Sequence, residues 1–316
     1  MLLKSINEAL IIIILLTISE PCYPKNNLLL ISLETTNVDS RVLKPDSLSN
    51  SIIITRNITI ENYFQFLDSL VSKYDSLTPY NLTEHLLVRA NPWIINTLQN
   101  TDYYRMKERD SFVYDQKKMI VLPKGGSIII PDFISAEKIL NSFKNTTIDI
   151  NIPEFKLRIY ENHEMLYEFP IRVGKNEKKY LEMSGRIQDL RTKTGVGKIV
   201  KHIRNPRYVN PVNNHEYFVT KRDDDQVTKL PQIPFLETEL NGQRYGQLIH
   251  PTTNPITLGK PASNGCIGTK EADAWVIYYY TPINTKITIR YDLTISDVNG
   301  EKIILEDIYK YNHLTN

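Results

Sequence analysis

The 316-residue chain is 41% hydrophobic and 23% charged, and its 38 Lys and Arg nearly balance 36 Asp and Glu for a formal net charge of +2. That length accommodates two domains with cores of their own. The near-neutral, interspersed charge argues against a nucleic-acid partner, which needs a basic face.

Residues 9–18 form an apolar run behind Lys4. The run is too short for a bilayer crossing, which takes roughly 20 residues, and it suits a secretory signal. Thr17 and Ser19 put small residues where cleavage before Glu20 needs them, so residues 1–19 are expected to be a signal peptide. Glu8 is atypical of one, and a membrane anchor through the N-terminus is the alternative. Cys22 follows Glu20-Pro21, a poor setting for lipid attachment. A bridge from Cys22 near the terminus to Cys266 in a tight turn is disfavoured on geometry. An exported chain with an unpaired Cys266 then calls for another explanation of that thiol, and catalysis is the leading one.

Residues 20–56 read as a linker. Residues 57–135 read as a helix-rich α+β module. Tyr63, Leu67, Leu70, Tyr74 and Leu77 recur at helical spacing over 61–76, and a second helix spans 82–90. A third opens at Asn91-Pro92, a cap followed by proline at the first helical position. Trp93 on that helix is read as core in preference to a sugar-stacking platform. Apolar runs at 119–122 and 127–131 flank the turn Pro123-Lys124-Gly125-Gly126. This last stretch, about ten residues long, resembles the close of a LysM-type glycan-binding repeat.

Between 147 and 292 the pattern turns to period-two alternation. Strands are expected at 147–152, 155–160 and 166–173, near Ile199 and Tyr217-Val219, and over 245–249 leading into His250. The pattern suggests an antiparallel sheet or sandwich. Residues 175–227 are otherwise loop-rich. A helix over 271–280 has Thr269 as its expected cap, acidic residues in its first turn and Pro282 beyond its end. A strand over 286–293 is expected to close the sheet. Residues 293–316 form an appended hairpin about Asn299-Gly300, with no chemistry of its own.

Chemistry concentrates between His250 and Gly268. Cys266 follows Ser263-Asn264-Gly265, and Gly265 and Gly268 leave its sulfur little cover while bringing backbone N–H groups close. A buried free cysteine is ordinarily a small hydrophobe. A thiol in a glycine-lined turn, with a histidine able to return to it, is also what cysteine acyl transfer requires. A helix starting near Thr269 would add a positive dipole end that lowers the thiol pKa. His85, His163, His202, His215 and His313 form no ligand pair of metal-binding spacing; His202 and His215 lie in a segment able to act as a lid and are read as surface residues in preference. Asp223-Asp224-Asp225 reads as a solvated loop tip. No metal or other cofactor is expected.

His250, followed after a gap by Ser263-Asn264-Gly265-Cys266-Ile267, resembles the signature of L,D-transpeptidase catalytic domains, the YkuD family. That signature is His, then Ser/Thr-His-Gly-Cys and a hydrophobic residue. Residues 147–160, the turn Lys193-Thr194-Gly195-Val196-Gly197 and the Glu271-Ala272-Asp273-Ala274-Trp275 helix fit as well, and the likeness spans 149–291. Asn264 stands where the family has histidine, and Gly268 where it has a polar Arg or Asn. The resemblance implies a mainly β, sandwich or barrel-like catalytic domain in the bacterial cell envelope or periplasm. It implies Cys266 as nucleophile on a peptidoglycan stem peptide and His250 as base. Gly265, Ser263, Asn264, Gly268 and Pro251 would shape the oxyanion and acyl site, the Pro251 carbonyl orienting the imidazole. An acceptor amine would complete a cross-link. Water in its place gives L,D-carboxypeptidase activity, and a non-catalytic peptidoglycan-binding protein is the rival from another class.

Overall fold

The computed structural model describes residues 50–297 and 299–311. The expected signal or anchor segment, Cys22 and most of the expected linker lie outside the described residues. β1 (Asn50–Ile53) and β2 (Ile58–Thr59) lead into α1 (Ile60–Tyr74), α2 (Glu84–Arg89), α3 (Pro92–Gln99) and α4 (Tyr103–Lys107). β3 (Ile120–Leu122), β4 (Ser127–Ile130) and α5 (Phe133–Lys144) follow. β1 pairs antiparallel with β4, and β2 with β3. The end of the stretch expected to be linker is therefore a strand.

The apolar spacing in α1 buries Tyr63, Phe64, Leu67 and Leu70. The helix stops at Tyr74, which leaves Leu77 in a 3-10 turn and exposed. Helix α5 was not expected, although its signals are ordinary. Asp132 accepts the Ser135 N–H at 2.8 Å as an N-cap. Ala136, Ile139, Leu140 and Phe143 then recur on the face that meets the core.

The second half begins with β5 (Thr146–Asn151), β6 (Lys156–Glu161), β7 (Glu164–Pro170) and β8 (Val173–Gly174). It continues through the hairpin β9 (Lys178–Leu181) and β10 (Arg186–Asp189) to β11 (Gly195–Ile203). After the small hairpin β12 (Val219–Lys221) and β13 (Val227–Lys229) come β14 (Phe235–Leu240), β15 (Gln243–Pro251), β16 (Pro261–Ser263) and β17 (Ile267–Thr269). Helix α6 (Glu271–Tyr280), β18 (Lys286–Arg290) and the hairpin β19 (Thr294–Ser296) and β20 (Lys302–Ile304) end the chain.

Eight strands make one sheet in the order β17-β15-β14-β11-β18-β5-β6-β7. It is mixed rather than antiparallel, because β15 with β17 and β18 with β5 run parallel. β18 lies in the middle, between β11 and β5, and does not close the sheet. The two edges approach one another through a pair of backbone hydrogen bonds. Arg172 N–H donates to the Gly268 carbonyl at 2.9 Å, and Gly268 N–H to the Arg172 carbonyl at 3.0 Å. The result is the mainly β, barrel-like architecture that the resemblance implied.

Strand β14, in a stretch between 227 and 245 to which the sequence reading assigned no element, was also unexpected. Leu236, Thr238 and Leu240 alternate inward and are buried. Asn241 and Gly242, with φ of 51° and 76°, make the tight turn to β15, and Asn-Gly favours positive φ at both positions.

Beyond its acidic first turn helix α6 is apolar on every side, and Trp275, Ile277, Tyr278 and Tyr279 are all buried. A helix without a polar face belongs inside the fold, and the helical half supplies its cover. Tyr63 and Tyr279 share a hydroxyl hydrogen bond of 2.6 Å, and the Tyr63 ring meets Trp275 edge-on at 6.2 Å. Glu84 accepts from the Tyr278 hydroxyl at 3.1 Å and the Tyr279 hydroxyl at 2.8 Å. The helices of the first half and the sheet of the second therefore share one core. Trp93 is packed against that core.

Candidate active site

Strand β15 delivers His250, which pairs in parallel register with Gly268 on β17. Its Nδ1 lies 2.9 Å from the Pro251 carbonyl oxygen. A carbonyl only accepts, so Nδ1 carries the proton and Nε2 keeps the lone pair. The Phe235 ring packs on the imidazole at 5.0 Å, and Tyr208 packs on Phe235 at 5.3 Å. Burial, and after it the Arg172 charge, bring the His250 pKa down to about 4. The ring is neutral at pH 7.

Cys266 ends the turn that enters β17. Gly265 has φ of +109°, which glycine adopts far more readily than any residue with a Cβ. Its N–H donates to Ser263 Oγ at 3.2 Å, and that hydroxyl donates to the Cys266 carbonyl at 2.5 Å. Buried Ser263 thus ties the turn internally, while Asn264 is exposed at its tip.

Three residues outside the motif hold the turn from behind. Thr192 Oγ1 donates to the Gly265 carbonyl at 3.1 Å and accepts the Gly174 N–H at 2.8 Å. The hydroxyl of buried Tyr309 accepts the Thr192 N–H at 3.0 Å and donates to the Gly174 carbonyl at 2.9 Å. The C-terminal segment, expected to be an appendage, therefore braces the candidate site. Residue spacing gave no signal for this, because the partners are 117 and 135 positions away from Tyr309.

A Cβ added to Gly174 would lie 1.9 Å from the Leu190 carbonyl oxygen and 2.9 Å from the Gly265 Cα. Both obstacles are backbone. Gly174→Ala is expected to lower the melting temperature and change the alkylation rate of Cys266 together, as read by thermal unfolding and timed iodoacetamide labelling.

Cys266 is half-buried, and burial pushes its thiol pKa up. A hydrogen bond from the Leu248 backbone N–H and the Arg172 charge oppose that rise. The helix-dipole expectation needs correcting. α6 begins at Glu271 beyond all of β17, with Lys270 rather than Thr269 at the N-cap. Its Ala272 N–H donates to Asp102 Oδ2 at 2.9 Å, while Asp102 Oδ1 accepts the Tyr104 N–H at 2.8 Å and so caps α4. The positive end of α6 faces that carboxylate.

The reading of His202 as a surface group in a lid is also corrected. It lies on β11 with its ring stacked on His85 at 4.9 Å. Burial brings their pKa values down to about 4 and about 3 respectively. His163 and His215 are exposed. The three adjacent aspartates lie in the turn between β12 and β13, with Asp225 exposed at its tip, and each is engaged by a protein group. Asp223 accepts the Ile256 N–H at 2.8 Å, Asp224 pairs with Lys107 at 2.6 Å, and Asp225 pairs with Lys221 at 2.7 Å. A cavity of about 390 Å³ beside Tyr208, Tyr217 and Phe218 does not include Cys266 or His250 in its lining.

Residues 145–289 match the family model of the L,D-transpeptidase catalytic domain, YkuD. Among solved structures, an L,D-transpeptidase from Mycobacterium smegmatis aligns at 13% identity and a TM-score of 0.32, covering 46% of this chain and 58% of that one. An L,D-transpeptidase from Xylanimonas cellulosilytica aligns at 13% identity and a TM-score of 0.33, covering 75% of this chain and 97% of that one. One from Enterococcus faecium aligns at 12% identity and a TM-score of 0.29, covering 46% and 50%. This chain thus spans about three fifths or less of the first and third of these proteins. No curated protein matches the sequence significantly. Residues 145–289, a little under half of the chain, thus match the family of L,D-transpeptidase catalytic domains, YkuD.

Proposed function

We propose that this protein is a cell-envelope L,D-transpeptidase with Cys266 as nucleophile and His250 as general base. The observation that carries the reading is the His250 tautomer. With Nδ1–H held by the Pro251 carbonyl, Nε2 is the basic nitrogen, on a strand paired in register with the one Cys266 enters. The thiol and imidazole are both neutral at pH 7 by the direction of their shifts. Proton transfer therefore accompanies attack, and no preformed thiolate–imidazolium pair is needed.

In the first half-reaction, Cys266 Sγ bonds to the carbonyl carbon of a donor stem peptide and its proton passes to His250 Nε2. The tetrahedral oxyanion is met by the Cys266 N–H, since the Gly265 N–H is turned to Ser263 Oγ. The C–N bond to the terminal D-residue then breaks, and His250 returns the proton to the leaving amine. In the second half-reaction an acceptor amine attacks the thioester and restores the thiol, forming a cross-link. The apolar run at 9–18 supports export by a signal peptide or a membrane anchor. Residues 57–135 serve as the α+β module that covers α6.

The test is mass spectrometry of the full chain incubated with a tetrapeptide-stem muropeptide. A thioester adduct on Cys266, absent from Cys266→Ala, is the expected result, and product analysis separates dimer formation from simple release of the D-residue. Muropeptide bound equally by both proteins, with no adduct and no product, would overturn the reading in favour of a binding protein.

A further inference from the structure

Gly268 leaves an unfilled position in the motif, and a side chain from elsewhere in the fold occupies it. A Cβ built on Gly268 would lie 2.5 Å from Arg172 Nε, 2.7 Å from its Cγ and 3.0 Å from its Cδ. The Arg172 side chain therefore runs through the volume that a residue at 268 would need. The two backbones are locked together by the reciprocal hydrogen bonds that close the sheet, so the fold itself brings the Arg172 side chain alongside position 268.

The guanidinium is poorly employed by the protein itself. Nη1 donates to Thr257 Oγ1 at 3.3 Å, and buried Nε has no partner among the described residues. None of the ion pairs among the described residues involves Arg172. A partly buried guanidinium with spare donors and no carboxylate on it is a site for an anion. The groups within its electrostatic reach are Cys266, Tyr217 and Asp223, together with His250.

We propose that Arg172 supplies the charged side chain that position 268 lacks, and that it stabilises the negative charge on Cys266 sulfur as the thiol gives up its proton. Arg172 is thus a positioning residue acting through the nucleophile. After burial, the same charge helps to keep His250 neutral, so one guanidinium favours both the deprotonated thiol and the unprotonated base. It offsets part of the burial that raises the thiol. A glycine at 268 is the condition for this arrangement, because any side chain there would displace the guanidinium. The inference rests on Cys266 being the nucleophile, but its test needs no peptidoglycan.

The experiment is the pH dependence of Cys266 alkylation by iodoacetamide, a neutral reagent, in the full chain, with thermal unfolding as the check on folding. Arg172→Gln is expected to move the alkylation midpoint upward by about one pH unit, which is roughly a tenfold lower rate at pH 8. Arg172→Lys, which keeps the charge, is expected to stay within about threefold of the parent, since a full unit is tenfold. The paired exchange Arg172→Ala with Gly268→Arg puts a guanidinium back from the other strand and is expected to recover most of the rate. An alkylation profile unchanged in folded Arg172→Gln would overturn the proposal. So would Arg172→Lys behaving like Arg172→Gln with the exchange giving no recovery. If alkylation responds as expected while no thioester forms with muropeptide, the transpeptidase reading fails and the electrostatic role of Arg172 stands.

Discussion

Replacing His250 with glutamine is expected to slow acylation of Cys266 by about 10²–10⁴-fold, the usual contribution of a positioned general base, while the chain remains folded. The expectation follows from two opposed shifts with one main cause. Burial raises the Cys266 thiol and lowers the His250 imidazole. At pH 7 the nucleophile therefore holds its proton, and the group placed to take it is uncharged. Glutamine can still donate a hydrogen bond to the Pro251 carbonyl, but it offers no nitrogen lone pair in exchange. The pH profile of the parent carries the sign of the argument. A base must be unprotonated to work, so acylation should persist through the range where an ordinary histidine would be charged. It should then fall as the pH drops through about 4. Stopped-flow or quenched acylation measured against pH checks both statements. An acid limb at the ordinary histidine value, or full activity in His250→Gln, would contradict the assignment.

The second large effect concerns stability. Arg222 and Glu271 form an ion pair at 2.5 Å with side-chain exposures of 0% and 1%. Gln116 bridges them, donating to Glu271 Oε2 at 2.7 Å and accepting from Arg222 Nη2 at 3.1 Å. Arg222 Nε donates to Thr228 Oγ1 at 2.8 Å, and the Tyr103 ring lies 4.5 Å from the guanidinium. Such a pair adds little net stability over well-packed apolar groups, but removing one member leaves a buried charge alone at a cost of about 3–5 kcal/mol. Arg222→Ala and Glu271→Ala are each expected to show that loss in chemical denaturation. The double change Arg222→Met with Glu271→Leu should lie closer to the parent than either. The pair also joins the β12–β13 hairpin to the start of α6. Next to Arg222, Asp223 accepts the Ile256 N–H at 2.8 Å, one residue from the Thr257 hydroxyl that Arg172 contacts. A single alanine should therefore disturb Cys266 reactivity as well as stability.

Several features were legible because their causes are local. Alternation marked β5, β6, β7, β15 and β18, helical spacing marked α1, and Asn91-Pro92 marked the start of α3, although the Asn91 side chain bonds Leu87 and Ile129 instead of capping that helix. His250 and Cys266 could be singled out because a cysteine in a glycine turn has few structural reasons to be there. The overlooked elements had local signals too: the Asp132 cap of α5, and the Asn241-Gly242 turn that follows β14. What no local pattern could disclose was strand order. Alternation reports which face of a strand is buried and is silent about its neighbours. The sheet could thus be read as antiparallel and β18 as its edge, whereas β18 lies at the centre beside β5.

By itself, the sequence singled out Cys266 and His250 as the candidate pair, the mainly β character of residues 147–292 and their resemblance to the L,D-transpeptidase catalytic domain, since these depend on residue type and short spacing. The tertiary structure alone decided what surrounds the pair between His250 and Gly268. It brought Arg172 onto Gly268 and Tyr309 behind the cysteine turn. It also turned the α6 N-terminus toward Asp102, away from the thiol. The physical reason is common to all three. Electrostatic environment is set by which groups are brought close when the sheet edges meet, and residues nearly a hundred or more positions apart become neighbours only after the whole chain has folded.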